Sequence, residues 1–459
     1  MRPLVLARAT RAAIVVLACA LARDGRAAGF AVQEQSGRGL GSAYAGEAAA
    51  AEDASTVFFN PAGMTRLPGT QVVAAGHLVW PSGRFANRGS TLNPAVGGGT
   101  LKGGDGPDLG ETALVPAFYL THAISPRWRL GLGVGAPFGL RTEYDRFWVG
   151  RYHAHVTDLK IFNVNPSFAV QLLDWLSFGA GADVQYGRLK VSNTLDTGSI
   201  CLLYGPGLGV PPRICRAVGL RPQQVDGFIK AVAESWAFGW NAGFLVEPAA
   251  GTRIGVAYRS EMDHEPRARV DFSLPKKAQV IPITTGALRD GHARVENFDL
   301  PDSASLAAVQ ELGPRWALLG GITWTHWDRF REIVVRFRDP RTPTIVQPEG
   351  WDDSFRFALG ARFQPARAWT LRAGTAYDET PIPNARLRTP RIPDADRVWL
   401  SVGLGYDWSE RIHFDAGYAH VFGLDADIEN RDPVTGHVLR GSFSGSGEVF
   451  GAQVSLRLD

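Results

Sequence analysis

Apolar and polar residues alternate along much of this chain with a period of two. In 176–187, Leu176, Phe178, Ala180, Ala182, Val184 and Tyr186 share one face, and Ser177, Gly179, Gly181, Asp183, Gln185 and Gly187 share the other. Val398, Leu400, Val402, Leu404 and Tyr406 oppose Ser401, Gly403, Gly405 and Asp407 in the same way. Similar strands are predicted at 369–378, 355–363 and 239–246. Each has about nine to eleven residues, the length a tilted strand needs to cross a bilayer. Aromatic residues sit at strand ends, among them Trp128, Trp175, Trp316, Trp369 and Trp408. A ring with one apolar and one wet edge belongs at a membrane interface. A secreted β-sandwich would also alternate, but repetition over most of the chain favours a membrane barrel.

Connectors such as Ser125-Pro126-Arg127 and Gln364-Pro365-Ala366-Arg367 suit short turns at one end. Longer insertions around 84–112, 192–236, 272–303 and 379–396 suit loops at the other. One insertion reads as partly helical. Pro222 fits a first helical position, and Val225, Phe228, Ile229, Val232 and Trp236 follow at helical spacing. That face would pack on its own loop or offer an apolar entry groove above the barrel mouth.

The start of the chain differs. Arg2, Arg8 and Arg11 precede an apolar run, Ala12–Ala22, which is too short to span a membrane. Small residues Gly25 and Ala27 suit a cut after Ala27, so 1–27 reads as a signal peptide. A lipoprotein signal with Cys19 as the lipidated residue is the rival. Export makes the remaining pair, Cys201 and Cys215, a candidate disulfide closing a loop of about 15 residues.

Composition narrows the function. The chain carries 53 Gly, 13 Trp and 24 Phe, and no later run is long enough for a membrane helix, which suits a β-barrel. A net charge of only +3 without a basic run argues against nucleic acid as a partner. Nucleophile-elbow, zinc-protease, P-loop and dinucleotide fingerprints are absent. His153 and His155 form a lone HxH without a third ligand nearby, and no metal or organic cofactor is expected. Asp352-Asp353 and Asp394-Ala395-Asp396 read as solvated loop charge. An outer-membrane lipid hydrolase is the enzyme alternative, and sequence spacing offers it no Ser-His dyad.

Several segments together resemble one family. Residues 28–30 read Ala-Gly-Phe; Gly39–Glu47 reads GLGSAYAGE; Asn60-Pro61-Ala62 follows. With 130–144 (LGLGVGAPFGLRTEY), 239–261, 349–359 and 369–408, these resemble the FadL family of outer-membrane channels for long-chain fatty acids and other hydrophobic compounds. The resemblance implies a signal peptide (1–27), an N-terminal hatch (28–69) and an all-β, 14-stranded transmembrane antiparallel barrel (70–459). It implies passive uptake of a hydrophobic small molecule, with outer-membrane lipid, lipopolysaccharide and the barrel assembly machinery as partners of a monomer, and no enzyme activity. Pro137-Phe138-Gly139 would kink a strand and open the wall sideways, with Gly139 leaving the gap unfilled. Asn60-Pro61-Ala62 would pack against that kink and gate the hatch, Asn60 capping freed backbone groups. Phe30 would lie by the ligand pocket. Asn193 and Gln347 align with basic head-group residues of the family's fatty-acid transporter. Their neutrality points to neutral aromatic or aliphatic hydrocarbons as the alternative cargo. Asp378 and Arg397 match polar positions of the C-terminal strands.

Overall fold

The computed structural model describes residues 29–280 and 288–458. The signal segment, Cys19 and Ala28 lie outside them. Fourteen strands form the wall: β1 Thr70–Asn87, β2 Ala113–Ala123, β3 Trp128–Glu143, β4 Val156–Leu173, β5 Leu176–Asp196, β6 Asp226–Ala249, β7 Thr252–Arg259, β8 Ser303–Leu312, β9 Trp316–Thr325, β10 Ser354–Ala366, β11 Trp369–Asp378, β12 Arg397–Asp407, β13 Ile412–Gly423 and β14 Val438–Arg457. Each pairs antiparallel with its chain neighbours, and β14 pairs with β1 to close the ring. Closure matters because hydrocarbon offers no hydrogen bonds to an open sheet edge. No helix among the described residues is long and apolar enough to cross a membrane.

The expected alternation decides which face is which. Leu400, Val402 and Leu404 point outward and are exposed, whereas Ser401 is buried inside. Trp128, Trp175, Trp316, Trp369 and Trp408 are all exposed at the short-turn end, as an interfacial girdle. Strands run longer than nine to eleven residues where they rise into the predicted loops; β5 and β6 pair from Leu176↔Val246 up to Asp196↔Asp226.

That long ladder overturns the predicted helix. Residues 226–249 are strand, not helix. Phe228, Val232 and Trp236 follow one another at intervals of four residues and share the outer face. Ile229 points inward, and Val225 packs beside the disulfide cluster. These five residues therefore form no single groove. Spacings of four satisfy both periods, and the pairing with β5 settles it in favour of strand. The helices of this region are instead Thr197–Tyr204, capped by Asp196, and Pro212–Ala217. Cys201 and Cys215 join them in a disulfide (S–S 2.04 Å).

Four neighbouring strands break partway up. After β7 the chain leaves the ladder and resumes at Arg267–Ser273; Gly291–Glu296 precedes β8, Glu332–Phe337 follows β9 and Ile345–Pro348 precedes β10. The four outer pieces pair in order beside β6. Residues in the breaks turn inward, including Phe298, Trp327, Phe330 and Trp351, all buried.

Residues 29–69 fill the lumen as three short helices, α1 Gly37–Leu40, α2 Glu47–Ala50 and α3 Thr56–Phe59, and a 3-10 turn, Pro61–Arg66. The wall holds them with inward arginines. Arg253 donates to Ala49 O (3.3 Å), Arg259 to Phe58 O (3.0 Å), Arg356 to Ala43 O (2.9 Å) and Arg129 to Leu67 O (2.9 Å). Arg38 of the hatch bonds Asp415 (3.1 Å), which also takes Arg372 (2.8 Å).

Reducing the Cys201–Cys215 bond should loosen the helical cap alone. We expect 197–217 to become protease-sensitive while the barrel keeps its heat-modifiable migration on gels. The bond closes a loop of the size for which chain entropy predicts about 3 kcal/mol. Unchanged proteolysis after reduction would sink this expectation.

Candidate functional site

The site begins with a bulge in β3. Gly135 pairs with Asn163 and Phe138 with Ile161, so Ala136 and Pro137 together face Phe162. An extra residue kinks the strand and disturbs its ladder. On its other edge, β3 pairs with β2 only from Ala123↔Arg129 to Phe118↔Val134. Above that point β2 stays with β1 and β3 stays with β4. The two free edges, 113–117 and 135–143, bound a slot in the wall. Pro116 on one edge has no amide hydrogen to leave unpaired.

The hatch supplies what the kink removes. Val32 N–H donates to Pro137 O (2.9 Å), Gly139 N–H donates to Phe30 O (3.1 Å), and Gln35 Nε2 donates to Ala136 O (2.9 Å). Ala31 pairs with Phe138 as an isolated bridge. Residues 30–35 thus act as a strand fragment behind the slot.

This corrects one expectation. Asn60-Pro61-Ala62 does not cap the kink; it seats on β5 and β6. Asn60 Nδ2 donates to Ala48 O (2.7 Å) and to Phe244 O (3.0 Å), and its Oδ1 accepts from Ala62 N–H (3.1 Å). Its seat is the cross-strand pair Gly179 and Gly243. A Cβ on Gly243 would lie 2.3 Å from Asn60 Oδ1, and one on Gly179 would lie 2.4 Å from Ala62 N. Wall glycines there let the hatch backbone lie against the strands. A cavity of about 140 Å³ is lined by Pro61 on one side and by Pro137 and Phe138 on the other. Gly139 is not a place of close approach. A Cβ there would make only ordinary contact, 3.7 Å from Val32. The tight position is Gly135, where a Cβ would lie 2.7 Å from Gln35 Oε1.

Phe30 is buried at the centre of an aromatic cage. Its ring lies 4.9 Å from Trp327, 5.8 Å from Phe330, and 5.9 Å from both Phe138 and Trp351, measured between centroids. Phe298 stacks at 6.5 Å. Gly29 makes this possible. It adopts φ +64°, and a Cβ would fall 2.8 Å from Trp351 and 2.9 Å from Trp327. Its N–H donates to Asp394 Oδ2 (3.0 Å). Asp394 is therefore an anchor rather than solvated charge, and Asp353 likewise accepts from Trp324 Nε1 (2.9 Å). The breaks in β8, β9 and β10 place the cage, and no single motif announces it: its tryptophans look like interface residues in the sequence.

A cavity of about 600 Å³ lies between the slot and the hatch. Phe30, Ala31 and Val32 line its inner side, and Leu114, Val115, Phe138 and Leu140 bring both slot edges to it. Its size is within the range of small-molecule pockets, about 300–1,000 Å³. Asp378, Arg397 and Glu34 supply a polar wall. Arg397 Nη2 lies 3.6 Å from Asp378 and 3.7 Å from Asp394.

Asn193 and Gln347 do not line this cavity. Gln347 lies in an outer strand piece and donates to Pro348 O (3.0 Å). Asn193 accepts from Arg391 Nη2 (3.1 Å), a cation that sequence reading missed because it comes from a distant loop. His153 and His155 also part ways: the first bonds Asn430 (3.1 Å), and the second packs edge-on to Phe228.

A lumen plugged by a hatch, a slot in the wall and an apolar cavity behind it define an outer-membrane transport barrel. The sequence model described as "Outer membrane protein transport protein (OMPP1/FadL/TodX)" matches residues 18–458, and the chain belongs to that family. It is 30% identical over 430 residues to the long-chain fatty acid transport protein of Escherichia coli O6:H1, covering 90% of this chain and 91% of that one. Outer membrane protein P1 of Haemophilus influenzae is 30% identical over 424 residues, 89% of each. Among solved structures, a Pseudomonas aeruginosa FadL homologue superposes with TM-score 0.84 at 25% identity, covering 94% of this chain and 100% of that one. The P. putida toluene transporter TodX shares the fold (TM-score 0.64, 18% identity, 94% and 99% covered). The protein is thus a multi-pass outer-membrane transporter, not an enzyme.

Glu349 lies beside the cage, in the break before β10 and outside the spanning strands. Burial pushes its carboxyl up to about 8, against an ordinary 4.5. Between those values the folded protein holds a proton that the unfolded chain has lost. This contribution to stability is therefore whole below about pH 4.5 and lost as the pH rises through 8. Glu349→Gln should flatten the fall in melting temperature between about pH 5 and 9, followed by tryptophan fluorescence. Identical profiles for both proteins would count against a protonated Glu349.

Proposed function

We propose that this barrel takes up long-chain fatty acids or similar hydrophobic molecules passively, releasing them sideways through the slot between β2 and β3. The observation that carries this reading is the slot itself, backed by an apolar cavity and closed from inside by residues 30–35. A hydrophobic molecule is stopped by the polar polysaccharide outside the membrane and is at home in the hydrocarbon. A dry path that ends in the wall delivers it where it is stable, and no energy source is needed. Curated relatives at 30% identity, named for long-chain fatty acid transport, support the fatty-acid form of the proposal. Neutral hydrocarbons are the second reading, favoured by the apolar Leu114, Val115, Phe138 and Leu140 that line the slot side of the cavity.

Withdrawal of Phe30 from its cage would free the hydrogen bonds at Ala136, Pro137 and Gly139 together and join cavity to slot. Asn60-Pro61-Ala62, held on β5 and β6, serves in this reading as the fixed footing about which residues 30–35 move. The protein acts as a monomer, surrounded by outer-membrane lipid and lipopolysaccharide, after insertion by the barrel assembly machinery.

A reversible staple tests the exit. The Cβ of Ala117 lies 3.8 Å from where a Cβ on Gly135 would be, a separation typical of a disulfide. In cells lacking their own transporter, Ala117→Cys with Gly135→Cys should take up labelled oleate several-fold more slowly when oxidised, recovering on reduction. The parent protein, treated identically, controls for Cys201–Cys215. Equal uptake in both states would remove the lateral exit. Uptake of labelled toluene but not oleate by the parent would shift the cargo to neutral hydrocarbons.

A further inference from the structure

The outer face of the wall carries a patch of cations that the chain does not neutralise. Lys160 on β4, Arg188 and Lys190 on β5, Lys230 on β6, and Arg267 and Arg269 on the strand piece beside it alternate with Ile161, Leu189, Ile229 and Ala268, which belong to the inner apolar cluster. Period-two alternation therefore turns these six side chains away from the lumen. The ladder sets them abreast. Lys160 pairs with Arg188, Glu234 lies between Arg188 and Arg267, and Val232 lies between Lys190 and Arg269. Acids on the same face answer only part of the charge. Arg269 meets Asp271 at 3.2 Å, while Lys160–Asp158 (3.7 Å) and Arg188–Glu234 (3.8 Å) are loose. Lys190, Lys230 and Arg267 form no ion pair among the described residues. Arg267 also stands directly opposite Arg294. Like charges facing each other across a sheet destabilise it, a cost that an external anion would offset.

The height of the patch says which anion it meets. Directly beneath it lies an aromatic row. Phe162 pairs with Tyr186 and Tyr186 with Trp236, the last two rings lying 5.2 Å apart. Phe162, Trp236 and Phe238 are exposed. From Trp175 at the short-turn end to Tyr186, β5 rises about 37 Å along the strand. A tilt of about 40° reduces this to about 28 Å, close to the apolar band of such barrels, about 25 Å. Phe162, Tyr186 and Trp236 thus mark the far boundary of the hydrocarbon. Arg188 follows Tyr186 by two residues and Lys190 by four, which places them at the level of lipid head groups. Short turns belong to the periplasmic end and long loops to the outside, so these are the heads of the outer leaflet.

We propose that Lys190, Lys230 and Arg267 hold the phosphorylated sugar head of one lipopolysaccharide molecule. Lys160, Arg188 and Arg269 flank it, and its acyl chains lie over Tyr186, Trp236 and Phe238. Basic clusters at a membrane surface attract anionic lipid, and a phosphate accepts from several cations at once. A zwitterionic phospholipid would bring its own ammonium into a field that is already positive. A head with two phosphates brings only charge of the opposite sign. The assignment rests on the outer-membrane placement of the barrel and not on which cargo the slot passes.

The test is binding of diphosphoryl lipid A, fully dephosphorylated lipid A and phosphatidylglycerol to the purified barrel in detergent, read by native mass spectrometry. Lys190→Gln, Lys230→Gln and Arg267→Gln in one protein should weaken diphosphoryl lipid A by roughly tenfold to a hundredfold, the joint value of three exposed charge contacts. The dephosphorylated form should change by less than about twofold. A second protein with Arg127→Gln, Arg367→Gln and Arg411→Gln loses the same charge at the short-turn end, and should stay within about twofold of wild type for diphosphoryl lipid A. Heat-modifiable migration shows that each variant is folded. Equal losses in the two triple variants, or no loss in the first, would overturn the assignment. So would phosphatidylglycerol bound as tightly as diphosphoryl lipid A and weakened alike, or wild-type protein that binds none of the three.

Discussion

Every backbone amide and carbonyl that faces hydrocarbon must find a partner inside the protein. That constraint organises this molecule. A closed ring meets it along most of the wall, but at the β3 bulge the wall lets go of its own ladder on the side of the slot. Hatch residues 30–35 then complete the bonding through Ala136, Pro137 and Gly139. The hatch is therefore part of the wall at this point, and the slot and the plug cannot be considered separately. A movement of six residues changes the hydrogen bonding of the strand, the aromatic cage and the boundary of the cavity together.

Two residue types make so close a fit possible. Glycines at 179 and 243 let the Asn60-Pro61-Ala62 backbone touch the strands, and Gly135 makes room for the Gln35 amide. Arginines on β3, β7 and β10 reach inward to hatch carbonyls, so the lumen is polar where it grips and apolar where it must pass cargo. The same strands turn Leu, Val and Phe outward. The alternation that makes a barrel insoluble on one face thus supplies the fixings for its interior on the other.

Much of the wall could be read from the sequence because period-two alternation is a local property. Strands β5, β10, β11 and β12 stand where Leu176, Phe355, Trp369 and Val398 begin their alternation. The error at 225–236 arose where local spacing fits two periods at once and only pairing with β5 chooses between them. The aromatic cage was illegible for a related reason. Phe30, Phe138, Phe298, Trp327, Phe330 and Trp351 come from five separate segments, and breaks in the strands, not their composition, aim them inward. Arg391 was missed because nothing local connects it to Asn193. The kink itself was visible as Pro137, but its partner was misassigned: Asn60 has the chemistry of a cap, and only the fold shows which strand it reaches.

The seam between β1 and β14 joins the two ends of the wall, and β14 also carries Gln453. Its side chain accepts from Gly37 N–H (3.0 Å) and Ser36 Oγ (3.2 Å) and donates to Asp53 Oδ2 (2.7 Å). The hatch thus takes hold of a residue more than 400 positions away. Contacts of such sequence separation are slow to form, because a long loop must close before they reward it. Closure of the seam and docking of the plug therefore draw on one residue, so the last strand of the wall is also a fixing for its stopper.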